Sequence, residues 1–326
     1  MNGFYHLSQL PLPEVEALAA RALELRSGAA PRRSPGRALG LLFLSPSLRT
    51  QASFQRAAGR LGLELVALQG GIYGLEWQEG TVMDGEAAEH VREAAGVLGR
   101  YVDVLAVRAF ASMQDLHSDL QDPVLNGFRA HAGIPIVNME SALWHPCQAL
   151  ADWVTLEQLG VPRHGKLVLS WAYHFKSLPH AVANSTLTMA ALRGMQVVLL
   201  RPEGYDLHPE VIAEARALAA ASGGALEIRS DRAGALRGAD VVYAKSWGSL
   251  GCWGDGSREL ALRAGLRDWM VTPEWLGPRA RFFHCLPVRR NLKVADAVLD
   301  GPSSAVLEQA ENRLHAQTAV LEALYA

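Results

Sequence analysis

Cysteine is scarce in this chain: three residues among 326, Cys147, Cys252 and Cys285. So odd and thin a set excludes the disulfide framework of a secreted protein and points to a cytoplasmic one. No apolar stretch reaches 18 residues, so no membrane span is expected. The opening MNGFYHLSQLPLPEVEALAA has no basic n-region followed by an apolar h-region, and no signal peptide is read. Lys and Arg number 31 against 33 Asp and Glu, a formal net charge of −2. Without a basic surplus, neither nucleic acid nor an anionic membrane is an expected partner. There is no GxxxxGKS/T loop and no GxGxxG following a strand, which removes two common nucleotide-phosphate cradles. The remaining composition is 49% hydrophobic and 20% charged. It suits a globular chain long enough for two domains with no metal or disulfide staple.

Strand and helix patterns alternate from end to end. PLPEVEALAARALELR spaces its apolar residues three and four apart and predicts an opening helix. ALGLLFL (38–44) is an apolar run of buried-strand length, and SPSLRTQASFQRAAGRLG follows with a cap-like serine, helical spacing and a glycine stop. LELVAL, VDVLAVR, IPIVNM, KLVLSW, QVVLLR, ALEIRS and DVVYAKS are further strands. Helix-length segments such as MDGEAAEHVREAAGVLGRY and HPEVIAEARALAAASGG separate most of them. The alternation implies an α/β fold of two doubly wound parallel-sheet domains, with a ligand cleft between them. HPCQALADWVTLEQLG is an interdomain helix, and the closing SSAVLEQAENRLHAQTAVLEALYA ends in an amphipathic helix that packs back on the first domain. The division expected is 1–145 with 306–326, and 146–305.

Several short motifs carry chemistry. SPSLRT opens a helix after a buried strand, so unpaired N–H groups, the hydroxyls of Ser47 and Thr50, and Arg49 form a phosphate cradle or, more plainly, an N-cap beside a surface arginine. Arg108 ends VDVLAVR on the ligand side of a parallel sheet, where it serves a ligand or a structural salt bridge. HPCQ offers His145, Cys147 and Gln148, and HCLP offers His284 and Cys285. Their spacings are not those of tetrahedral zinc sites, so no metal is expected, and no partner orients a Cys–His nucleophile pair. Arg289, Arg290 and Lys293 read as a solvated loop, and Arg313 as an exposed helical arginine. Lys245, at the end of an apolar run, approaches the cleft.

Eight ordered motifs, PSLRT (46–50), GTVMDG (80–85), LGRYVDVLAVRAF (98–110), HPCQ (145–148), AVANS (181–185), DVVYAKSWG (240–248), HCLPVRRN (284–291) and ENRLH (311–315), together resemble the aspartate/ornithine carbamoyltransferase superfamily. The likeness is nearest to its N-acyl-ornithine branch, whose marks are GTVMDG, YAKSWG and HCLPVRRNxK. The resemblance implies transfer of the carbamoyl group of carbamoyl phosphate to the side-chain amine of an N-acyl-L-ornithine, a step in arginine biosynthesis. It implies a homotrimer with sites shared between subunits, direct transfer through a tetrahedral intermediate, and neither metal nor cofactor. By the same likeness, Ser47, Leu48, Arg49 and Thr50 hold phosphate, while Arg108, His145 and Thr50 polarise the carbonyl. Gln148 and the carbonyls of Cys285 and Leu286 take the carbamoyl NH₂, with Cys285 positioning and not attacking. Arg313 completes neutralisation of the donor. Replacing Arg108 with Ala is expected to abolish turnover and leave folding intact.

On the acceptor side, the resemblance assigns Glu140, Asn184, Lys245, Cys285, Leu286, Lys293 and Ala88. Enzymes for free ornithine carry Asp where this chain has Lys245. The exchange suits an acylated amine and a free α-carboxylate, and it sets ammonium against ammonium for bare ornithine. Lys293 matches a lysine borne as N6-carboxylysine. Ala88 stands three residues after GTVMDG, where acetyl-specific members have Glu and succinyl-specific members Pro. N-acetyl-L-ornithine is therefore the expected acceptor, with N-succinyl-L-ornithine the alternative. The tryptophan that reaches a neighbouring site corresponds to Tyr73, with Trp77 as the other candidate. A non-catalytic paralogue and a zinc hydrolase are the competing classes.

Overall fold

The computed structural model describes residues 1–69 and 74–326. Ten strands form two five-stranded sheets. The first contains β1 (Gly3–Phe4), β2 (Ala38–Phe43), β3 (Glu64–Gln69), β4 (Val104–Arg108) and β5 (Ile136–Glu140), in the order β1-β5-β4-β2-β3. The second contains β6 (Lys166–Trp171), β7 (Gln196–Leu200), β8 (Ala225–Arg229), β9 (Val241–Lys245) and β10 (Arg281–Phe283), in the order β8-β7-β6-β9-β10. Every pairing within them is parallel. β2, β4, β5, β6 and β9 are runs of apolar residues because helices cover both faces, leaving almost none of their side chains in water.

Strand order reverses between β2 and β4 in the first sheet and between β6 and β9 in the second. In doubly wound sheets such switch points open a crevice at the carboxyl ends of the strands. Arg108 ends β4 and Lys245 ends β9, so each switch point carries a basic residue at the carboxyl end of a central strand. The expected fold class stands as read.

Helices then deliver the other residues. Leu48–Leu61 follows β2 at once, with Ser47 as N-cap and Gly62 (φ +72) as the left-handed stop. Pro146–Gln158 links the sheets and is buried along nearly its whole length. Val306–Leu324 returns from the second sheet to pack on Leu12–Arg26, Leu48–Leu61 and Pro146–Gln158. That last helix is not amphipathic in the expected sense. Gln309, Asn312, Arg313, Gln317 and Thr318 are all buried: polar side chains on other helices meet the first three, Thr318 donates to the Leu314 carbonyl of its own helix, and the Gln317 amide has no partner among the described residues. In MDGEAAEHVREAAGVLGRY, only Val91–Tyr101 is helical, starting after His90, whose ring accepts from the Arg92 N–H. No helix is long and apolar enough to cross a membrane, among the described residues.

Candidate active site

A cleft of about 400 Å³ opens where the two switch points face each other. Its first wall begins at the helix after β2. Ser47 Oγ accepts from the Thr50 N–H at 3.3 Å and donates to Thr50 Oγ1 at 2.9 Å. Arg313, from the final helix, donates through Nη2 to the same Thr50 Oγ1 at 2.6 Å. A cap thus holds a helix N-terminus open to the cleft while a helix from the far end of the chain brings a guanidinium to it. Burial pushes Arg313 down to about 10 and lowers Arg49 as well, yet both stay cationic at neutral pH.

Arg108 lies at a register shift between β4 and β5. Its Nη1 is 2.6 Å from Glu140 Oε2, and its guanidinium covers the Phe110 ring at 4.6 Å. Glu140 Oε2 also stands 3.4 Å from His145 Nε2. Burial, then the nearby Arg313 and Arg108, hold the His145 imidazole well below its ordinary 6.5. This imidazole is therefore neutral and offers a single N–H. Arg49 Nε, Arg108 Nε, His145 Nδ1, Gln148 Oε1 and Arg313 Nε are buried polar atoms with no partner among the described residues. Five such atoms from cleft-lining side chains converge as a ligand site does, since buried polar groups otherwise find partners.

The second wall comes from the other sheet. Cys285 and Leu286 follow β10, and Leu286 takes a left-handed φ of +54 while its N–H donates to His284 Nδ1 at 2.9 Å. Lys245 and Lys293 line the same wall. Lys293 is only 2% exposed, and burial, with Lys245 the next cause, brings its amine down to about 7. Among the described residues lining the cleft, Glu140 is the one carboxylate, facing Arg49, Arg108, Lys245, Arg289, Lys293 and Arg313.

The structure thus brings together most residues singled out in the sequence. Ser47, Arg49, Arg108, Glu140, His145, Gln148, Lys245, Cys285, Leu286, Lys293 and Arg313 all line the cleft. Thr50 stands just behind, and Asn184 is buried with Nδ2 on the Leu143 carbonyl at 3.1 Å and Oδ1 unpartnered among the described residues. Leu48 is 81% exposed, so only its backbone can serve a phosphate. Ala88 is exposed and lines no part of its own chain's cleft. Tyr73 lies outside the described residues. Trp77 is half-buried and packs edge-on to Phe128 at 6.0 Å, at the margin of its own chain's core.

Two bland readings fail. Arg313 is buried, not exposed, because the final helix folds inward at the junction of the sheets. Arg290 does sit in solvent with Asp296 and Asp300, but Lys293 does not. The chain reverses at Asn291 (φ +56), and with the Lys293 N–H donating to the Arg289 carbonyl and the Lys293 carbonyl accepting from the Val271 N–H, its side chain turns in. His174, which lines the cleft after β6 and meets Arg289 Nε at 3.2 Å, escaped notice. Its position just past a strand end was the available signal. Cys147 packs in the core with its thiol pushed up to about 12 by burial, which disqualifies it as a nucleophile. Among the described residues, no three His, Cys, Asp or Glu side chains cluster to hold a metal.

Comparison with known proteins agrees with this geometry. A family model for the aspartate/ornithine carbamoyltransferase carbamoyl-P binding domain matches residues 3–158, and one for the Asp/Orn binding domain matches residues 179–324. The chain is 42% identical over 332 residues to the N-acetylornithine carbamoyltransferase of Xanthomonas campestris pv. campestris, covering 99% of this chain and 98% of that one. A crystal structure of acetylornithine transcarbamylase complexed with acetylcitrulline superposes with a TM-score of 0.96 at 41% identity, covering 99% of each chain. A variant of such an enzyme with one glutamate changed to alanine, complexed with carbamyl phosphate and N-succinyl-L-norvaline, superposes with a TM-score of 0.95 at 41% identity, covering 99% of this chain and 100% of that one.

Proposed function

The chain belongs to the aspartate/ornithine carbamoyltransferase family, and on that premise we propose that it carbamoylates N-acetyl-L-ornithine. Carbamoyl phosphate donates, and N-acetyl-L-citrulline and phosphate leave, as a step of arginine biosynthesis in the cytoplasm. The observation that carries this reading is Lys245, a cation at the switch point of the second sheet and on the acceptor wall. Free ornithine would set its α-ammonium against Lys245 in a site already rich in cations. An acylated amine has no such charge, and its α-carboxylate pairs with the lysine.

Residues 1–145, with the returning 306–326, take the donor, and 146–305 the acceptor. Phosphate rests on the helix N-terminus at Ser47–Thr50, neutralised by Arg49, Arg108 and Arg313. Thr50, Arg108 and the neutral His145 donate to the carbamoyl oxygen, and such preorganised donors are worth on the order of several kcal/mol once that oxygen becomes anionic. Gln148 and the carbonyls of Cys285 and Leu286 accept from the carbamoyl NH₂, fixing the trigonal plane. Asn184, Glu140, Lys245 and Lys293 hold the acceptor. Surrounding cations and desolvation lower the pKa of its side-chain ammonium, so the neutral amine becomes available. The amine attacks the carbonyl carbon. The tetrahedral intermediate then expels phosphate by C–O cleavage as a phosphate oxygen takes the amine's spare proton, so the leaving group departs as the hydrogen phosphate dianion.

Lys293 is the carboxylated lysine of this site. With its amine near neutrality, it captures CO₂ as a carbamate and releases one proton, turning one of the crowded cations into an anion. Equilibration with ¹³C-bicarbonate should give a carbamate carbonyl signal in the wild type and none in Lys293→Arg. A wild-type spectrum without that signal refutes the modification.

One observation favours a second acceptor. Ala88 replaces the glutamate that would repel a succinyl carboxylate, and a Glu-to-Ala variant of an acetylornithine enzyme accommodates N-succinyl-L-norvaline. Because Ala88 is outside its own cleft, it meets the acyl group from a neighbouring copy, as in a homotrimer with shared sites. A ureido-product assay with carbamoyl phosphate and three acceptors tests both readings. Turnover is expected with N-acetylornithine, then with N-succinylornithine, and not with ornithine. Ready turnover of ornithine alone removes the assignment.

A further inference from the structure

One buried carboxylate in the core of the site has no role in this mechanism. Asp152 is fully buried one helical turn beyond Gln148. Its Oδ1 accepts from Gln148 Nε2 at 2.8 Å and from Gln309 Nε2 at 2.7 Å. Gln309, from the final helix, in turn accepts the backbone N–H of His284 through Oε1 at 2.8 Å. The chain of bonds has a fixed direction. A backbone N–H can only donate, so Gln309 must present Oε1 to His284 and Nε2 to Asp152. Ionised Asp152 can only accept, so Gln148 must give it Nε2. The atom left to Gln148 on the cleft side is Oε1, which has no partner among the described residues.

We propose that Asp152 is a positioning residue: it locks Gln148 as an acceptor towards the carbamoyl amide and so gives the site its preference for carbamoyl phosphate over acyl phosphates without an NH₂. The inference rests on the donor assignment above. A buried acceptor left unpaired by a methyl group penalises acetyl phosphate, whereas carbamoyl phosphate satisfies it. Burial raises the Asp152 carboxyl and the two amide donors offset part of that, leaving it at about 7, so the lock is set as the carboxyl ionises through that pH. The same lock reaches the loop after β10 through Gln309, so both groups that read the carbamoyl NH₂ share one reference point.

The test compares Asp152→Leu, Asp152→Asn and wild type by KM for carbamoyl phosphate and by inhibition constants for acetyl phosphate and inorganic phosphate. In Asp152→Leu the Gln148 amide turns freely, and a donor half faces the carbamoyl donor. KM for carbamoyl phosphate should rise roughly tenfold, and acetyl phosphate should inhibit more tightly because the unpaired acceptor it met is gone, while the inhibition constant for inorganic phosphate, which presents nothing to Gln148, should stay within about threefold although Arg313 of the cradle feels the lost charge. Asp152→Asn keeps an oxygen towards both glutamines and should recover most of the lost selectivity. Equal weakening of all three ligands, or no change in any, overturns the proposal. Should Asp152→Leu fail to fold, Asp152→Ala, which likewise removes the acceptor that holds Gln148 Nε2, is read by the same criteria. Wild-type turnover of N-acetylornithine is scored separately, so the reaction can stand while the lock falls.

Discussion

Arg108 shows how a side chain's partners change what its removal does. Seen as a strand-end arginine, it is replaceable at no cost to folding. In the structure it is 5% exposed and bonded at 2.6 Å to Glu140, itself 8% exposed. Removing one member of a buried pair strands the other, typically at about 3–5 kcal/mol. Arg108→Ala should therefore lose both turnover and several degrees of Tm, contrary to the expectation of an intact fold. Adding Glu140→Gln should return most of the Tm and none of the turnover, because the neutral amide no longer needs the guanidinium while the carbonyl still does. Thermal unfolding beside the ureido assay separates the two effects. Activity persisting in Arg108→Ala would dismiss its place at the oxyanion.

At the level of elements, legibility followed burial geometry. Central parallel strands are buried on both faces, so ALGLLF, VLAVR and KLVLSW announce themselves as apolar runs. Ser47 and Gly62 mark both ends of their helix because capping chemistry is local. Edge pieces were harder: Gly3–Phe4 is two residues long, too short for any period. The final helix misled for another reason. Its buried Gln309, Asn312 and Arg313 answer Asp152, Thr155, Gln158 and Thr50 on other helices, partners some 150 or more residues away in sequence. Hydropathy reads such a face as solvent-exposed, and only the assembled fold shows it to be interior. The same blindness hid His174 and the inward turn of Lys293. Motif resemblance recovered Arg313 and Lys293; periodicity alone did not.

In the whole molecule, the two sheets meet along a seam that is also the cleft. Beyond the shared helices, Trp253 Nε1 donates to Asp119 Oδ2 at 2.9 Å, and the Gly254 N–H to the Met113 carbonyl at 3.2 Å. The loop after β9 is thereby clasped to the loop after β4. Four buried histidines stand near this seam. Burial lowers His174 and His180 to about 4, and holds His145 and His284 well below 6.5. In the unfolded chain each titrates near ~6.5. Between pH 6.5 and about 4 the unfolded state binds protons that the folded state refuses, so stability falls as pH falls through that window. Asp122, raised to about 6, and Asp152, raised to about 7, work in the opposite sense. They bind protons more readily when folded, and their contribution is lost as pH rises through the same range. Four sites against two leaves the histidines in control. Tm should be several degrees lower at pH 5 than at pH 7.5, and His180→Gln, which keeps a donor for the Gly248 carbonyl now 2.8 Å from Nε2, should narrow the gap. A Tm that is flat or higher at pH 5 would mean that the two aspartates outweigh the histidines, and that the seam is wetter than its packing shows.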